Sequence, residues 1–344
     1  MKIAIDAREL GGKRTGVGRY LAELMAAWRE LPGAGAHEFV VCAPRNGERA
    51  GTLWEQLTLP RLVNSSGASI LFAPAYTGPL FSRVPMVVAI HDVSFAAHPE
   101  WFPWREGLRR RLVTRRSAQR AARVLTVSDF SKREIVKHCH IDPAKVDVIY
   151  HGATALTRAS AAEGSTRLVL FVGSVFTRRH VPELIQGFAA IAARHPEVRL
   201  AIVGDNRTTP HLDLEAVIDA SGHREQVSYR AYVTDAELAD LYSRAAAFVF
   251  LSDYEGFGMT PLEALAAGIP IVVLDTEVAR EIYGPAAVYV ERPEPALVEA
   301  ALERVLFDDR ERERLREVGR HVIERYSWRE CAQRTLQVLL SCGS

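Results

Sequence analysis

Two glutamates, Glu255 and Glu263, stand eight residues apart in EGFGMTPLEALAAG (255–268), with Gly256-Phe257-Gly258 and Met259-Thr260-Pro261 between them. Thr260 is a candidate helix N-cap, and Pro261 suits the first helical position. Glu263, three residues after Thr260, would then complete a capping box. That structural reading accounts for Glu263 but not for Glu255 or the glycines. Two glycines just ahead of a helix let backbone N–H groups converge on an oxyanion, and a helix N-terminus favours phosphate. The preceding AAAFVFLSDYE reads as a buried strand, so Glu255 emerges at a strand's carboxyl end. Ligands of open α/β sheets bind there. A second chemical feature is Arg178-Arg179 in FVGSVFTRRHVPELIQGF (171–188). The entrance to a helix is an unfavourable place for cations, which makes an anionic ligand there more plausible. A third is His91-Asp92, directly after the apolar run VVAI.

These residues need a scaffold that brings strand ends together. Candidate strands are Lys2–Asp6, Glu38–Cys42, Ile70–Phe72, Met86–His91, Arg123–Val127 and Val146–Ile149. Helical patterns between them include Gly18–Glu30, Glu106–Ala122 and Ser131–Lys137. After the small, polar stretch ATALTRASAAEGSTR (153–167) the alternation restarts, with strands at Leu168–Val172, Arg199–Val203, Val227–Tyr229, Ala247–Leu251, Ile271–Leu274 and Ala287–Tyr289. Helices Val181–Arg194, Asp235–Ser243 and Pro261–Ala267 lie between these. Apolar strands alternating with helices predict parallel sheets covered on both faces. The expectation is α/β, with two Rossmann-like doubly wound domains facing across a cleft: residues 1–158, residues 159–325, and an amphipathic C-terminal segment, 326–344, returning to the first domain. The 344-residue length favours two domains.

The 255–268 stretch resembles the E-x7-E motif of retaining glycosyltransferases of the GT-B fold, the GT4 family, and the resemblance extends over nearly the whole chain. It implies that the helix N-terminus (Gly256, Phe257, Gly258, Met259, Thr260) holds the diphosphate of a nucleotide sugar, with Glu255 beside the donor sugar and Glu263 at the ribose hydroxyls. Arg178 falls at the family's arginine position and Arg179 at its lysine position, beyond Gly173. Two cations there would stabilise charge on the departing diphosphate and remove the need for a metal. Arginine is a forked donor and lysine a point charge, so Arg179 is a departure from the family pattern. DARELGGKRTGVGRYLAEL (6–24), with Gly16 and Gly18, resembles the loop that closes over the donor. His91 matches a histidine near the reacting centre, and VLTVSDFSKREIV (124–136) matches strongly, with Ser128 or Asp129 capping a helix and Asp129 also a candidate for the acceptor cleft. Gly204 ends the strand AIVGD, and Tyr232-Val233 match the segment flanking the base. His151-Gly152 stands where the family often has Asn-Gly. The resemblance implies a metal-independent hexosyltransferase with no required cofactor beyond its donor. GDP-mannose is favoured, on likeness to bacterial mannosyltransferases, and a UDP-sugar is the alternative. The acceptor implied is a glycan or lipid-linked glycan in polysaccharide or glycoconjugate synthesis.

WFPWREGLRRRLVTRRSAQRAAR (101–123) joins Trp101, Phe102 and Trp104 to eight arginines, among them Arg109 and Arg110. Aromatics beside a basic amphipathic helix suit an anionic membrane surface or a lipid diphosphate. A solvated basic face over core-packed aromatics is the plainer reading. The net charge of +1 and the absence of a recognised module argue against nucleic acid. The four cysteines form no CxxC pair, and His138-Cys139-His140 point in divergent directions on a helix, so no metal site is expected. Few, scattered cysteines and no long apolar span indicate a cytoplasmic protein, at most peripheral at the inner face of the membrane. Two rivals are a non-catalytic nucleotide-sugar-binding protein and a dinucleotide-dependent oxidoreductase. The incomplete glycine fingerprint at Gly16, Gly18 and Leu21 weighs against the latter.

Overall fold

Strands of a parallel sheet are buried on both faces, so their sequences are near-continuous aliphatic runs. Successive side chains still face opposite sides. The computed structural model describes residues 1–11, 16–44, 51–154 and 167–343. The chain divides into two compact units, Met1–Gly152 with Tyr326–Ser344, and Ala153–Arg325. Most of the stretch read as a linker lies outside the described residues.

In the first unit, β1 (Lys2–Asp6), β2 (Glu38–Cys42), β3 (Ile70–Ala73), β4 (Met86–Ala89), β5 (Arg123–Thr126) and β6 (Val146–Val148) form one sheet. Its order is β2-β1-β3-β4-β5-β6, with every pair parallel. Ile3, Ile5, Ile70 and Phe72 face one core, shared with α1 (Gly16–Glu30) and the C-terminal helix Trp328–Gly343. Ala4, Leu71 and Val88 face the other, shared with α2 (Leu59–Ser66), α4 (Trp104–Arg120) and α5 (Asp129–Cys139); the short α3 (Ser94–Ala97) lies between β4 and α4. The C-terminal helix belongs to this core through Leu336 and Leu339 and through Trp28, whose Nε1 donates to the Ala332 carbonyl at 2.9 Å. Its approach explains Gly152: a Cβ there would lie 2.3 Å from the Trp328 backbone nitrogen. Tyr150-His151-Gly152 is therefore shaped by packing.

In the second unit, β7 (Arg167–Val172), β8 (Val198–Val203), β9 (Val227–Arg230), β10 (Ala245–Phe250), β11 (Ile271–Leu274) and β12 (Ala287–Val290) are ordered β12-β11-β10-β7-β8-β9, again all parallel. The connecting helices are α6 (Val181–Ala192), α7 (Leu214–Ala220), α8 (Asp235–Arg244), α9 (Met259–Ala266), α10 (Glu277–Tyr283), α11 (Pro295–Phe307) and α12 (Asp309–Ile323). The strand order reverses direction between β7 and β10. The crevice beyond the carboxyl ends of such a pair is the ligand-binding position of a doubly wound sheet. Arg178-Arg179 follow β7, and Glu255 follows β10.

Two local expectations are corrected. Thr260 does not cap α9: the helix begins at Met259 after Gly258 in the left-handed region (φ 84°), so Thr260 is its second residue and Glu263 its fifth. No capping box forms there. Gly18 does not open α1 either, because the helix starts at Gly16 and buries Gly18. A capping box does form at α8, where the Glu237 N–H donates to Thr234 Oγ1 and the Thr234 N–H donates to Glu237 Oε2 at 2.8 Å.

Candidate active site

The turn after β7 and the loop after β10 are bound to each other at the switch point. Arg179 donates to Glu255 Oε1 from Nε at 2.9 Å and from Nη2 at 2.7 Å, and its Nη1 donates to the Ser174 carbonyl at 2.8 Å. Ser252 Oγ donates to the same Glu255 oxygen at 2.8 Å. Arg178 lies 3.7 Å from it and donates through Nε to the Tyr254 carbonyl at 3.2 Å. Arg179 is thus not turned outward: both guanidiniums face one carboxylate. Among the described residues Glu255 Oε2 accepts no hydrogen bond, so Oε1 is spent on orientation while Oε2 is available to a ligand.

Aromatic rings hold the cations in place. Phe176 lies under Arg178 at 4.4 Å and under Arg179 at 5.2 Å, and Phe250 under Arg179 at 4.7 Å. These contacts restrict two long side chains to one geometry. Glycines make the close approach possible. Gly173 (φ 147°) and Gly204 (φ 150°) pass so near each other that a Cβ on Gly204 would sit 1.9 Å from the Gly173 carbonyl oxygen. At the start of α9, Tyr283 donates its hydroxyl to the Gly258 carbonyl at 2.8 Å, and a Cβ on Gly258 would meet that hydroxyl at 2.0 Å. Gly256 and Phe257 are buried beneath this turn, and Met259 and Thr260 are half-buried in the first turn of α9. The positive end of a helix dipole therefore adjoins Arg178, Arg179 and Glu255.

Glu263 is buried inside α9, with the Tyr242 hydroxyl 3.4 Å from its Oε2. Val233 is buried and Tyr232 is 63% exposed just beyond β9. His180, which sequence reasoning passed over, bonds to Asp253 two residues before Glu255. The only signal for it was its place next to Arg179.

The first unit has its own cluster at its β1/β3 switch point, also unanticipated. Arg8 pairs with Glu55 at 2.5 Å and Asp6 at 3.1 Å, and donates to the Thr77 carbonyl at 3.2 Å, with Asp6 and Glu55 both buried. Burial pushes the Asp6 carboxyl up to about 6, with the Arg8 guanidinium opposing the shift. His91 sits in the loop after β4, since that strand ends at Ala89. Its Nε2–H donates to the Pro74 carbonyl at 2.8 Å, which leaves Nδ1 as the acceptor nitrogen of the neutral ring. The ring meets Tyr20 edge-on at 4.9 Å and His151 at 5.4 Å, and His151 stacks on Tyr20 at 4.6 Å. Burial lowers the pKa of both histidines, so His91 acts here as a neutral group. Gly16 is exposed at the start of α1; residues 12–15 of the loop before it are outside the described residues.

Ser128 caps α5 by accepting from the Ser131 N–H, leaving Asp129 exposed in the first turn. Trp101 stacks on His98 at 3.9 Å, and Trp104 opens α4 at 69% exposure rather than packing in the core. Arg110 pairs with Glu106, and Arg109 donates to Thr52 Oγ1. His138, Cys139 and His140 do not converge: Cys139 is buried, His138 lies 3.4 Å from Glu134, and His140 closes α5 in a left-handed conformation. Among the described residues no group of His, Cys, Asp and Glu is placed to hold a metal ion.

Residues 154–322 match the family described as glycosyl transferases group 1, and residues 47–154 match glycosyltransferase family 4. The O-antigen chain mannosyltransferase RfbU of Salmonella typhimurium is 24% identical over 88% of this chain and 90% of its own length. The O-antigen chain mannosyltransferase B of Escherichia coli is 25% identical over 73% of this chain and 68% of its own length. A GDP-mannose:cellobiosyl-diphosphopolyprenol alpha-mannosyltransferase of Xanthomonas campestris is 30% identical, but the match spans about half of it, 51%. Among solved structures, Anabaena Alr3699/HepE in complex with UDP and glucose superposes with a TM-score of 0.76 over 99% of this chain and all of its own, at 18% identity. With two parallel six-stranded sheets, a basic switch point and these relatives, the chain belongs to the GT4-like glycosyltransferases and has the GT-B fold.

Proposed function

We propose that the chain transfers a hexose from a nucleotide sugar to a hydroxyl of a glycan or lipid-linked glycan, with retention of configuration and without a metal. Mannose from GDP-mannose is the favoured donor. The observation that carries the reading is the joint placement of Arg178, Arg179, Glu255 and the α9 N-terminus at the β7/β10 switch point. On this reading the diphosphate lies against the first turn of α9. Arg178 and Arg179 take up the negative charge that develops on it as the sugar departs, a preorganised stabilisation in which the cations need not reorient. Glu255, fixed through Oε1, offers Oε2 to sugar hydroxyls. Glu263 serves the ribose, and Tyr232-Val233 the base. The acceptor belongs to the first unit, with Asp129 beside it, and His91 helps Glu255 to position the donor sugar as a neutral hydrogen-bonding group rather than a cation. No side chain is required as a covalent nucleophile.

The mannose assignment rests on the mannosyltransferase relatives, one of which is named for GDP-mannose; a UDP-sugar is the alternative, because the structural neighbour binds UDP and glucose. Calorimetric titration with GDP, UDP, ADP and dTDP, with and without magnesium, on wild type and Arg178→Ala tests both levels. Saturable, metal-independent binding of GDP that the substitution weakens supports the reading, and binding of UDP alone transfers it to the alternative. No binding of any nucleotide removes the donor-site assignment, and binding only with magnesium removes its metal independence.

A second reading concerns α4. Trp104, Leu108 and Leu112 recur every four residues at 69%, 41% and 51% exposure, flanked by exposed Arg105, Arg109 and Arg116. No helix of the described residues is long and apolar enough to cross a membrane. An exposed apolar stripe between arginines suits the interface of an anionic leaflet, with the enzyme peripheral at the cytoplasmic face. Sedimentation with phosphatidylglycerol vesicles at low salt tests it. Loss of binding in Trp104→Ala/Leu108→Ser supports the reading, and no binding of wild type ends it.

A further inference from the structure

His180 lies between the two arginines and α6, and nothing in the proposed chemistry uses it. It is one of three non-glycine residues among those described with positive φ (49°). A left-handed backbone is unfavourable for a non-glycine residue, so neighbouring contacts must hold it. Those contacts are polar and specific. Nε2 donates to Asp253 Oδ2 at 2.8 Å, and Nδ1 lies 3.8 Å from Glu183 Oε1. Carboxylates at both ring nitrogens select the doubly protonated imidazolium. Two further bonds join the same segments: the Asp253 N–H donates to the Arg178 carbonyl at 3.0 Å, and the Arg178 side-chain Nε donates to the Tyr254 carbonyl at 3.2 Å.

We propose that His180 is the positioning residue of this site, a charged clamp that ties the turn carrying Arg178 and Arg179 to the loop carrying Glu255. It rests on the donor-site reading above but concerns a residue that reading leaves idle. The switch-point geometry needs two loops, separated by more than seventy residues in sequence, to keep one register. One backbone bond and the Arg178 and Arg179 side chains join the loops on one side, and the imidazolium–Asp253 bond joins them on the other. Glu183 on α6 and Asp253 from the β10 loop are the charged groups against the ring, and Arg178 and Arg179 precede it in the same turn with their guanidiniums at Glu255. Burial lowers the His180 pKa, but the accepting carboxylates of Asp253 and Glu183 outweigh it and raise the pKa to about 9. The folded pKa lies above the unfolded value near 6.5. The clamp's contribution is therefore complete below about pH 6.5 and lost as pH rises through about 9.

The test compares wild type, His180→Gly, His180→Asn and Asp253→Asn. Glycine keeps the left-handed backbone without a side chain; asparagine tolerates that backbone and offers a neutral donor. Affinity for GDP, or for UDP where GDP does not bind, is measured from pH 6.5 to 10, with KM and kcat where transfer is assayable. His180→Gly weakens nucleotide binding about tenfold at pH 7.5, the scale of one charge-assisted bond. His180→Asn restores most of that, and both variants lose the alkaline decline that wild type shows between pH 8 and 10. Variants that bind like wild type with the same pH profile overturn the proposal. An NMR titration of the His180 ring provides a separate readout. A midpoint near 6.5 overturns the clamp, whereas a midpoint near 9 that falls in Asp253→Asn supports it. If wild type binds no nucleotide while His180 still titrates near 9, the donor-site reading fails and the clamp between the loops stands.

Discussion

Removing or replacing Arg179 tests the reasoning at its most exposed point. Its guanidinium makes two bonds to Glu255 Oε1, at 2.9 and 2.7 Å, and one to the Ser174 carbonyl at 2.8 Å. Its side chain is 12% exposed and that of Glu255 19%, so solvent screens the pair only weakly. A hydrogen bond to a charged group contributes about 1.5–3 kcal/mol. Ser252 at 2.8 Å and Arg178 at 3.7 Å retain part of the hold on Glu255. The net cost of Arg179→Ala to Glu255 placement is then roughly 2–3 kcal/mol. Loss of a fixed cation from the leaving group adds an effect of about 10²–10³ in kcat. On the proposed chemistry Arg179→Ala should lower kcat by about 10⁴ at saturating donor, with a smaller rise in KM, because the charge it would stabilise appears only as the bond breaks. Arg179→Lys separates charge from fork. It keeps the charge but not the paired bonds or the stacking over Phe250, so a fall of roughly tenfold is expected. Steady-state transfer with the donor identified by titration provides the assay. If Arg179→Ala stays within about threefold of wild type in kcat, the switch-point cations do not stabilise the leaving group. If Arg179→Lys matches Arg179→Ala, the bidentate geometry matters and the charge alone does not.

Gly204→Ala places a methyl 1.9 Å from the Gly173 carbonyl in a backbone at φ 150°, so neither unit of that turn can be kept. It should lower the melting temperature and weaken nucleotide binding together, by calorimetry, whereas Gly222→Ala, at φ 75° but open in space, should cost only the backbone strain of about 1–2 kcal/mol and leave nucleotide binding unchanged. Asp6 has a folded pKa raised to about 6 by burial, so the stability tied to its proton is complete below about pH 4 and lost as pH rises through about 6. Asp6→Asn should therefore be at least as stable as wild type at pH 7.5 and show a flatter melting profile from pH 4 to 6.5. Arg8→Met, which leaves Asp6 and Glu55 buried without their cation, should cost about 3–5 kcal/mol in chemical denaturation at pH 7.5. Equal stability of Arg8→Met and wild type would show that Arg8 does not hold the cluster together.

Much of the architecture was legible because it is local. Aliphatic runs such as IVVL at 271–274 and FVV at 39–41 can hardly be anything but strands once helical patterns flank them, and Ile271–Leu274 and Glu38–Cys42 were placed to the residue. Arg178, Arg179 and Glu255 were singled out because cations at a helix entrance and a carboxylate at a strand end need an explanation. The start of α9 was misjudged because Thr260-Pro261 is a good local helix start. The Tyr283 hydroxyl, from α10, holds Gly258 in the left-handed region and lets the helix begin two residues sooner.

The chain's own residue types determined that it alternates strands and helices, that its strands are parallel and doubly covered, and that a pair of arginines follows one of them and a carboxylate another. Only the tertiary structure decided that those two strands, β7 and β10, are neighbours at the point where the sheet order reverses. From that adjacency come the Arg179–Glu255 pair and the His180–Asp253 bond, and in the first unit the neighbouring of β1 and β3 likewise gathers Asp6, Arg8, Glu55 and Thr77. The physical reason is one of range. Periodicity and capping are read from residues a few positions apart. A hydrogen bond across a sheet depends on strand order, which the packing of all the helices sets at once.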